Sequence, residues 1–179
     1  MNRFSSRAII LRKRDYSESD KIIVAFSQDK GKISFIAKGI KKLKSKKRGS
    51  IEVGNIVSIS VTRPEGMGIL TEALLLKSFD NTRKNLNKLS VMYYFCEVVD
   101  KLTQPEEPNP ELFNLLLKYL SRLSQDNKLK QLRKKFIYDT LVLVGFWPKD
   151  RLMDNPDQIL EDVLERRLSS ERVGKKLMS

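Results

Sequence analysis

The period of the apolar residues changes once along this chain, and that change limits the folds open to it. Up to about residue 80 apolar residues alternate. Lys21 to Ser27 puts Ile22, Val24 and Phe26 on one face, Lys32 to Lys38 does so with Ile33, Phe35 and Ala37, and Asn55 to Thr62 with Val57, Ile59 and Val61. This is the two-residue repeat of a strand. Gln28-Asp29-Lys30-Gly31 supplies turn residues between the first pair, and Arg63-Pro64-Glu65-Gly66-Met67-Gly68 punctuates the exit from the third. Adding Arg7 to Lys13 before and Ile69 to Ser78 after gives five strands. Five short strands fit a small closed barrel, which leaves no open edges. An OB fold is the first expectation and an SH3-like barrel the second.

From Phe79 onward the spacing becomes three and four. Leu86, Leu89, Tyr93, Cys96, Val99 and Leu102 form one predicted stripe, ended near Gln104 by Pro105-Glu106-Glu107-Pro108. Asn109-Pro110-Glu111 offers a capping residue, a proline at the first helical position and an acid in the first turn, before a stripe of Leu112, Leu116, Tyr119, Leu120 and Leu123. A third helix is predicted from about Lys128 to Val144 with Leu129, Leu132, Phe136, Ile137 and Leu141 inward, terminated by Gly145. Asn155-Pro156-Asp157 repeats the capping pattern before Ile159, Val163 and Leu164. The predicted fold class is therefore α+β in two segments: a five-stranded OB-fold barrel over residues 1–80 and an all-α helical domain over 81–179. The boundary rests on the change of period, since no repeat or long low-complexity linker marks it.

Charge points to the partner. The net charge is +13, and it is uneven: residues 1–80 hold 17 Lys and Arg against 8 Asp and Glu, residues 81–179 hold 18 against 14. Such an excess attracts polyanions, and the release of condensed counterions favours nucleic acid over an acidic membrane surface. No run approaches the ~18 apolar residues of a membrane span, and Met1 to Arg14 lacks the apolar centre of a signal peptide. A cytoplasmic, nucleoid-associated protein is expected. With no histidine and one cysteine, neither a Cys/His zinc site nor a Ser-His or Cys-His nucleophilic pair can be assembled. Cys96 sits in the apolar run Val91 to Val99, where a lone cysteine behaves as a small buried hydrophobe.

The segment Lys38 to Arg48 carries the strongest functional signal. Seven of its eleven residues are basic (Lys38, Lys41, Lys42, Lys44, Lys46, Lys47 and Arg48) and none is acidic. A block of like charge repels itself unless a polyanion neutralises it, so a flexible basic loop between two barrel strands suits phosphates. A merely solvated loop is the plainer alternative. Arg12, Arg14 and Lys32 on the adjoining strands join the candidate DNA-binding set. Tyr16 and Phe35 can offer stacking surfaces to bases, although the alternation of Phe35 with Ile33 and Ala37 favours the core for it. Asp15, Glu18, Asp20 and Asp29 give the case for a magnesium-dependent nuclease, but with Ser17 and Ser19 they are also the residues a turn prefers. No Gly-x-x-x-x-Gly-Lys-Ser/Thr phosphate loop occurs, which argues against an ATP-driven motor. Gly145-Phe146-Trp147-Pro148 reads as an aromatic plug at a helix end.

Several stretches together resemble a known family. Ala8-Ile9-Ile10-Leu11-Arg12, Asp15 to Lys21, and Gly31-Lys32-Ile33-Ser34 with Ala37 to Lys42 look like the amino-terminal domain of RecO DNA-repair proteins. Thr71-Glu72-Ala73, Glu107-Pro108-Asn109-Pro110, Leu143-Val144-Gly145-Phe146 and Gly174 to Ser179 continue the likeness. The resemblance implies an OB fold that binds single- and double-stranded DNA, a RecR partner, a helical domain that contacts the single-strand-binding protein, strand annealing and help in loading RecA. Many members carry a four-cysteine zinc module after the Leu-Gly-Phe/Tyr-x-Pro segment. Here Pro148 to Asp157 contains no cysteine, so neither zinc nor any other cofactor is expected. The patch Lys128, Lys130, Arg133, Lys134 and Lys135 leads into Phe136, Ile137 and Leu141. Cations beside apolar surface suit an acidic peptide with a hydrophobic end, which the resemblance identifies as the tail of the single-strand-binding protein; Lys130, Arg133, Lys134, Phe136 and Ile137 are the candidate residues. The reading is a non-catalytic mediator, in which a basic loop screens strand repulsion and raises the effective concentration for pairing. An RNA- or ribosome-associated barrel protein is the alternative in the binding class.

Overall fold

The structure, a computed structural model, describes residues 2–63 and 66–166. Gly174 to Ser179, which contribute to the resemblance, and Pro64-Glu65 of the expected turn lie outside the described residues. Five strands, β1 (Asn2–Asp15), β2 (Lys21–Ser27), β3 (Gly31–Ala37), β4 (Ile56–Arg63) and β5 (Gly68–Lys77), are followed by α1 (Asp80–Arg83), α2 (Leu86–Leu102), α3 (Pro110–Leu123) and α4 (Leu129–Leu143). A further helix, α5, is described over 156–166. The strands close a barrel in the order β1-β2-β3-β5-β4, with β1 pairing antiparallel to both β2 and β4. Two parallel pairs, Phe35 with Gly68 and Ile36 with Ile69, complete the closure. This is the five-stranded OB arrangement, and the SH3-like alternative falls away.

β1 starts at Asn2, five residues before the apolar alternation predicted. Its first part is polar but still structured, because the Ser5 hydroxyl meets that of Ser60 at 2.8 Å and the Ser6 hydroxyl meets that of Ser27 at 2.7 Å. Residues 2–9 pair with β4 and residues 8–15 with β2, and a bulge between Ile10 and Arg12 bends this one strand across the barrel. β2 is buried on both faces, from Ile22 to Ser27. Paired residues share a face, so Ile23 and Ala25 lie with Phe35 and Ile33 inside the barrel. Phe26 faces outward and its ring meets Phe113 of α3 at 6.4 Å. The alternating set Ile22, Val24 and Phe26 is thus the outward face.

Gly31 ends the β2–β3 turn at φ +69°, and a Cβ there would stand 2.2 Å from the Glu107 carbonyl oxygen, so glycine is required. α3 begins where predicted: the Asn109 side chain accepts from Leu112 N–H with Pro110 in the first turn, and its five predicted inward residues are buried. The stripe of α2 differs from expectation. Leu86 and Tyr93 are exposed, and Met92, Phe95, Cys96, Val98, Val99 and Leu102 are buried. The helix is turned so that Phe95 meets Tyr119 of α3 edge-on at 5.8 Å, a packing demand that its own spacing does not reveal.

By compactness the chain divides into residues 1–127, the barrel with α1 to α3, and residues 128–179. In the second unit Leu132, Phe136, Ile137 and Leu141 of α4 are buried, as are Leu160 and Val163 of α5. Gly145 at φ +84° closes α4, where the Phe146 N–H reaches the Leu141 carbonyl at 2.8 Å. Phe146 is half exposed and Trp147 lies under the Arg151 guanidinium at 5.0 Å, so this group covers a helix end only in part. No helix among the described residues is long and apolar enough to cross a membrane.

Candidate nucleic-acid interface

The basic segment joins β3 to β4 as a series of tight turns. Lys42 N–H donates to the Gly39 carbonyl (3.1 Å), Ser45 to Lys42 (3.0 Å), Arg48 to Ser45 (3.3 Å) and Ile51 to Lys47 (3.1 Å). Ile40, Ile51 and Val53 are buried while Leu43 is 92% exposed, so a backbone that turns every three residues is pinned by its apolar ends and presents its middle. The segment expected as a flexible loop is a series of hydrogen-bonded turns.

Both ends are tied down by hydrogen bonds, most of them to groups distant in sequence. At the start, Gly39 N–H donates to the Asp20 carboxylate (2.8 Å) and Lys41 N–H to the Ser19 carbonyl (3.0 Å). The Lys41 ammonium reaches the Ser17 carbonyl at 2.8 Å and the Asp15 carboxylate at 3.1 Å. At the end, Asn55 is buried and donates to the Ser50 carbonyl at 3.0 Å. Arg83 of α1 donates to the Val53 carbonyl at 2.6 Å and the Asn55 side-chain oxygen at 2.9 Å. Gly54, at φ +86°, has no room for a Cβ beside the Met92 sulfur, and Lys47 donates from its ammonium to the Leu70 carbonyl at 2.9 Å.

These anchors sort the candidate residues. Lys38, Lys42, Lys44, Lys46 and Arg48 are exposed on the loop, and Arg14 is exposed on β1. Lys41 and Lys47 are half-buried tethers. Arg12 and Lys32 both turn to Asp100 of α2, at 2.9 Å and 3.3 Å, and Lys32 also donates to the Asp100 carbonyl at 2.6 Å. Phe35 is fully buried in the barrel, whereas Tyr16 is 58% exposed.

Of the four carboxylates weighed as a magnesium site, Asp15, Asp20 and Asp29 are engaged by hydrogen bonds within the protein, and Glu18 is exposed. Hydrogen bonds from Lys21 and then Lys41 hold Asp15 below the usual carboxylate range, and the Gly39 N–H does the same for Asp20. Asp29 lies apart: burial raises its pKa, but hydrogen bonds from the Ser6 and Ser27 hydroxyls outweigh that and leave it lowered. Among the described residues no three acidic, histidine or cysteine side chains converge as a metal site. Burial pushes the Cys96 thiol up to about 12, an inert core group.

In the second unit Phe136 and Ile137 are fully buried, so they present no apolar surface, and Arg133 is held by a bidentate pair with Asp157 at 2.7 and 3.0 Å. Lys130 is exposed, Lys135 pairs with Asp139 at 3.2 Å, and Lys134 borders a shallow cleft of about 540 Å³ with Tyr138, Arg151, Leu152 and Met153. Sequence reasoning missed Arg83, Asn55 and Asp100. Their partners lie 28 to 88 residues away, and no local pattern encodes such pairs.

A closed OB barrel that holds an ordered cationic loop at the β3–β4 connection and continues into helices defines an oligonucleotide-binding-fold protein with a helical extension. Comparison with known proteins narrows this class: the family model for the recombination protein O N terminal matches residues 1–79, and that for the recombination protein O C terminal matches residues 83–149. The chain belongs to the recombination protein O family. It is 32% identical to the DNA repair protein RecO of Syntrophomonas wolfei over 143 residues, 80% of this chain and 57% of that protein. Against the DNA repair protein RecO of Dehalococcoides mccartyi it is 32% identical over 157 residues, 88% of this chain and 62% of that protein. The chain thus spans about three fifths of the length of these relatives.

Proposed function

We propose that the chain is a recombination mediator of the RecO type, acting in DNA repair by binding and not by catalysis. In this reading residues 1–80 hold single- and double-stranded DNA and residues 81–179 meet partner proteins, in the cytoplasm with the nucleoid. The observation that carries it is the ordered loop with Lys38, Lys42, Lys44, Lys46 and Arg48 all presented to solvent. Arg14 extends this surface. Arg12, Lys32, Lys41 and Lys47 act at its edge and hold its shape. Neutralising phosphates on two strands at once removes their repulsion and raises their effective concentration, which is annealing without nucleotide or metal. RecA loading and a RecR partner are what the resemblance to the RecO family implies for the same role. For the acidic tail of the single-strand-binding protein, burial of Phe136 and Ile137 moves the apolar contact to the cleft of Tyr138, Leu152 and Met153, with Lys130 and Lys134 supplying charge and Arg133 supporting it. Annealing of complementary oligonucleotides tests the reading: the chain should accelerate it with no magnesium or ATP, and Lys42→Ala/Lys44→Ala/Lys46→Ala should remove the acceleration. Magnesium-dependent cleavage of the strands, or acceleration that survives the triple change, would overturn it.

A further inference from the structure

The turn between β1 and β2 has no basic residue over 16–20, yet it is joined to the basic loop by the contacts of Asp15, Ser17, Ser19 and Asp20 with Gly39 and Lys41. Tyr16 sits in this turn. Its N–H donates to the Asp20 carbonyl at 3.1 Å, which fixes the backbone, while the side chain is 58% exposed. A large aromatic in solvent on an ordered turn, flanked by exposed Arg14 and by the tethered Lys41, is a flat surface beside cations. Asp15 and Asp20 are engaged by the loop, which offsets the repulsion they would exert on phosphate.

Unpaired bases have free π-faces and stack on such a ring, whereas the bases of a duplex are already stacked on one another. In OB barrels the β1–β2 loop borders the oligonucleotide surface, and this turn occupies that place. Of the other aromatics on β1 to β3, Phe26 and Phe35 are buried, and Phe4, partly buried at the opposite end of β1 from this turn, is covered by Lys30 and Arg63 at 5.9 and 5.8 Å from its ring. We propose that Tyr16 is a base-stacking platform that makes the loop site prefer single strands to duplex. The proposal rests on the phosphate-binding reading of the loop and adds strand selectivity to it.

The test uses the whole chain, with binding measured on a labelled oligothymidine of roughly 16 nucleotides, enough to span one barrel, and on a blunt duplex of the same length. Tyr16→Ala should weaken single-strand binding roughly tenfold and leave duplex binding and the salt dependence unchanged. Tyr16→Trp should retain binding, and in a Trp147→Phe background its emission should be quenched by the oligothymidine and not by the duplex. Equal losses on both probes would mean that Tyr16 only shapes the turn, and no loss on either would mean that the ring is not in contact; each overturns the platform. The Lys42→Ala/Lys44→Ala/Lys46→Ala protein separates the two claims. If it weakens both probes while Tyr16→Ala changes neither, the platform alone fails. If it leaves both affinities intact, the loop reading has failed.

Discussion

Arg83 shows how much of the interface is set by residues that touch no ligand. Its guanidinium satisfies the Val53 carbonyl and the buried Asn55 side chain, and Asn55 in turn holds the carbonyl of Ser50. Arg83→Met would keep the bulk and remove both donors, leaving buried acceptors unpaired at about 1–3 kcal/mol, a loss that urea unfolding would read. At the start of the loop the same work is done by carboxylates. Asp20 has a folded pKa below its unfolded value, so its contribution is present above the ordinary carboxylate value of about 3.9 and disappears as pH falls through the lower, folded value. Unfolding measured against pH should therefore show a stability loss confined to the acid side, smaller in Asp20→Asn, with no difference in slope between the two proteins near neutrality.

Among the elements, the contact of α3 with the outer face of β2 joins helix to barrel within the first unit. Phe113 is fully buried against Phe26 and lies under the Arg7 guanidinium at 5.7 Å. Phe113→Ala should cost about 3–5 kcal/mol of stability, while the salt dependence of DNA binding by the folded protein stays the same because no loop cation moves. How much of each element is legible in the residue pattern depends on how local its cause is. α3 is legible because its cap, proline and first-turn acid are consecutive, and β3 is legible because one face is buried and the other is not. β2 is apolar at five consecutive positions, Ile22 to Phe26, as a strand covered on both faces requires, and alternation alone does not say which of its faces enters the barrel. The first turns of α2 have an inward pattern because Leu86 and Tyr93 hold the right spacing, and only the position of α3 decides otherwise. The basic loop is evident from composition, but which of its seven cations face solvent depends on Asp15, Ser17 and Leu70, which no spacing rule connects to it.

At the scale of the molecule, the charge excess of residues 1–80 is concentrated at one connection of a closed barrel, and the other described residues of that segment carry both signs, several of them in ion pairs. Binding should then follow counterion release from a small, countable set of phosphates. The dependence of single-strand affinity on salt measures that number directly. With the five exposed loop cations in contact, the log–log slope should be roughly −3.5, and in Lys42→Ala/Lys44→Ala/Lys46→Ala it should flatten to about −1.4, from ~0.7 per phosphate contact. An identical slope in the two proteins would place the DNA elsewhere and contradict the account.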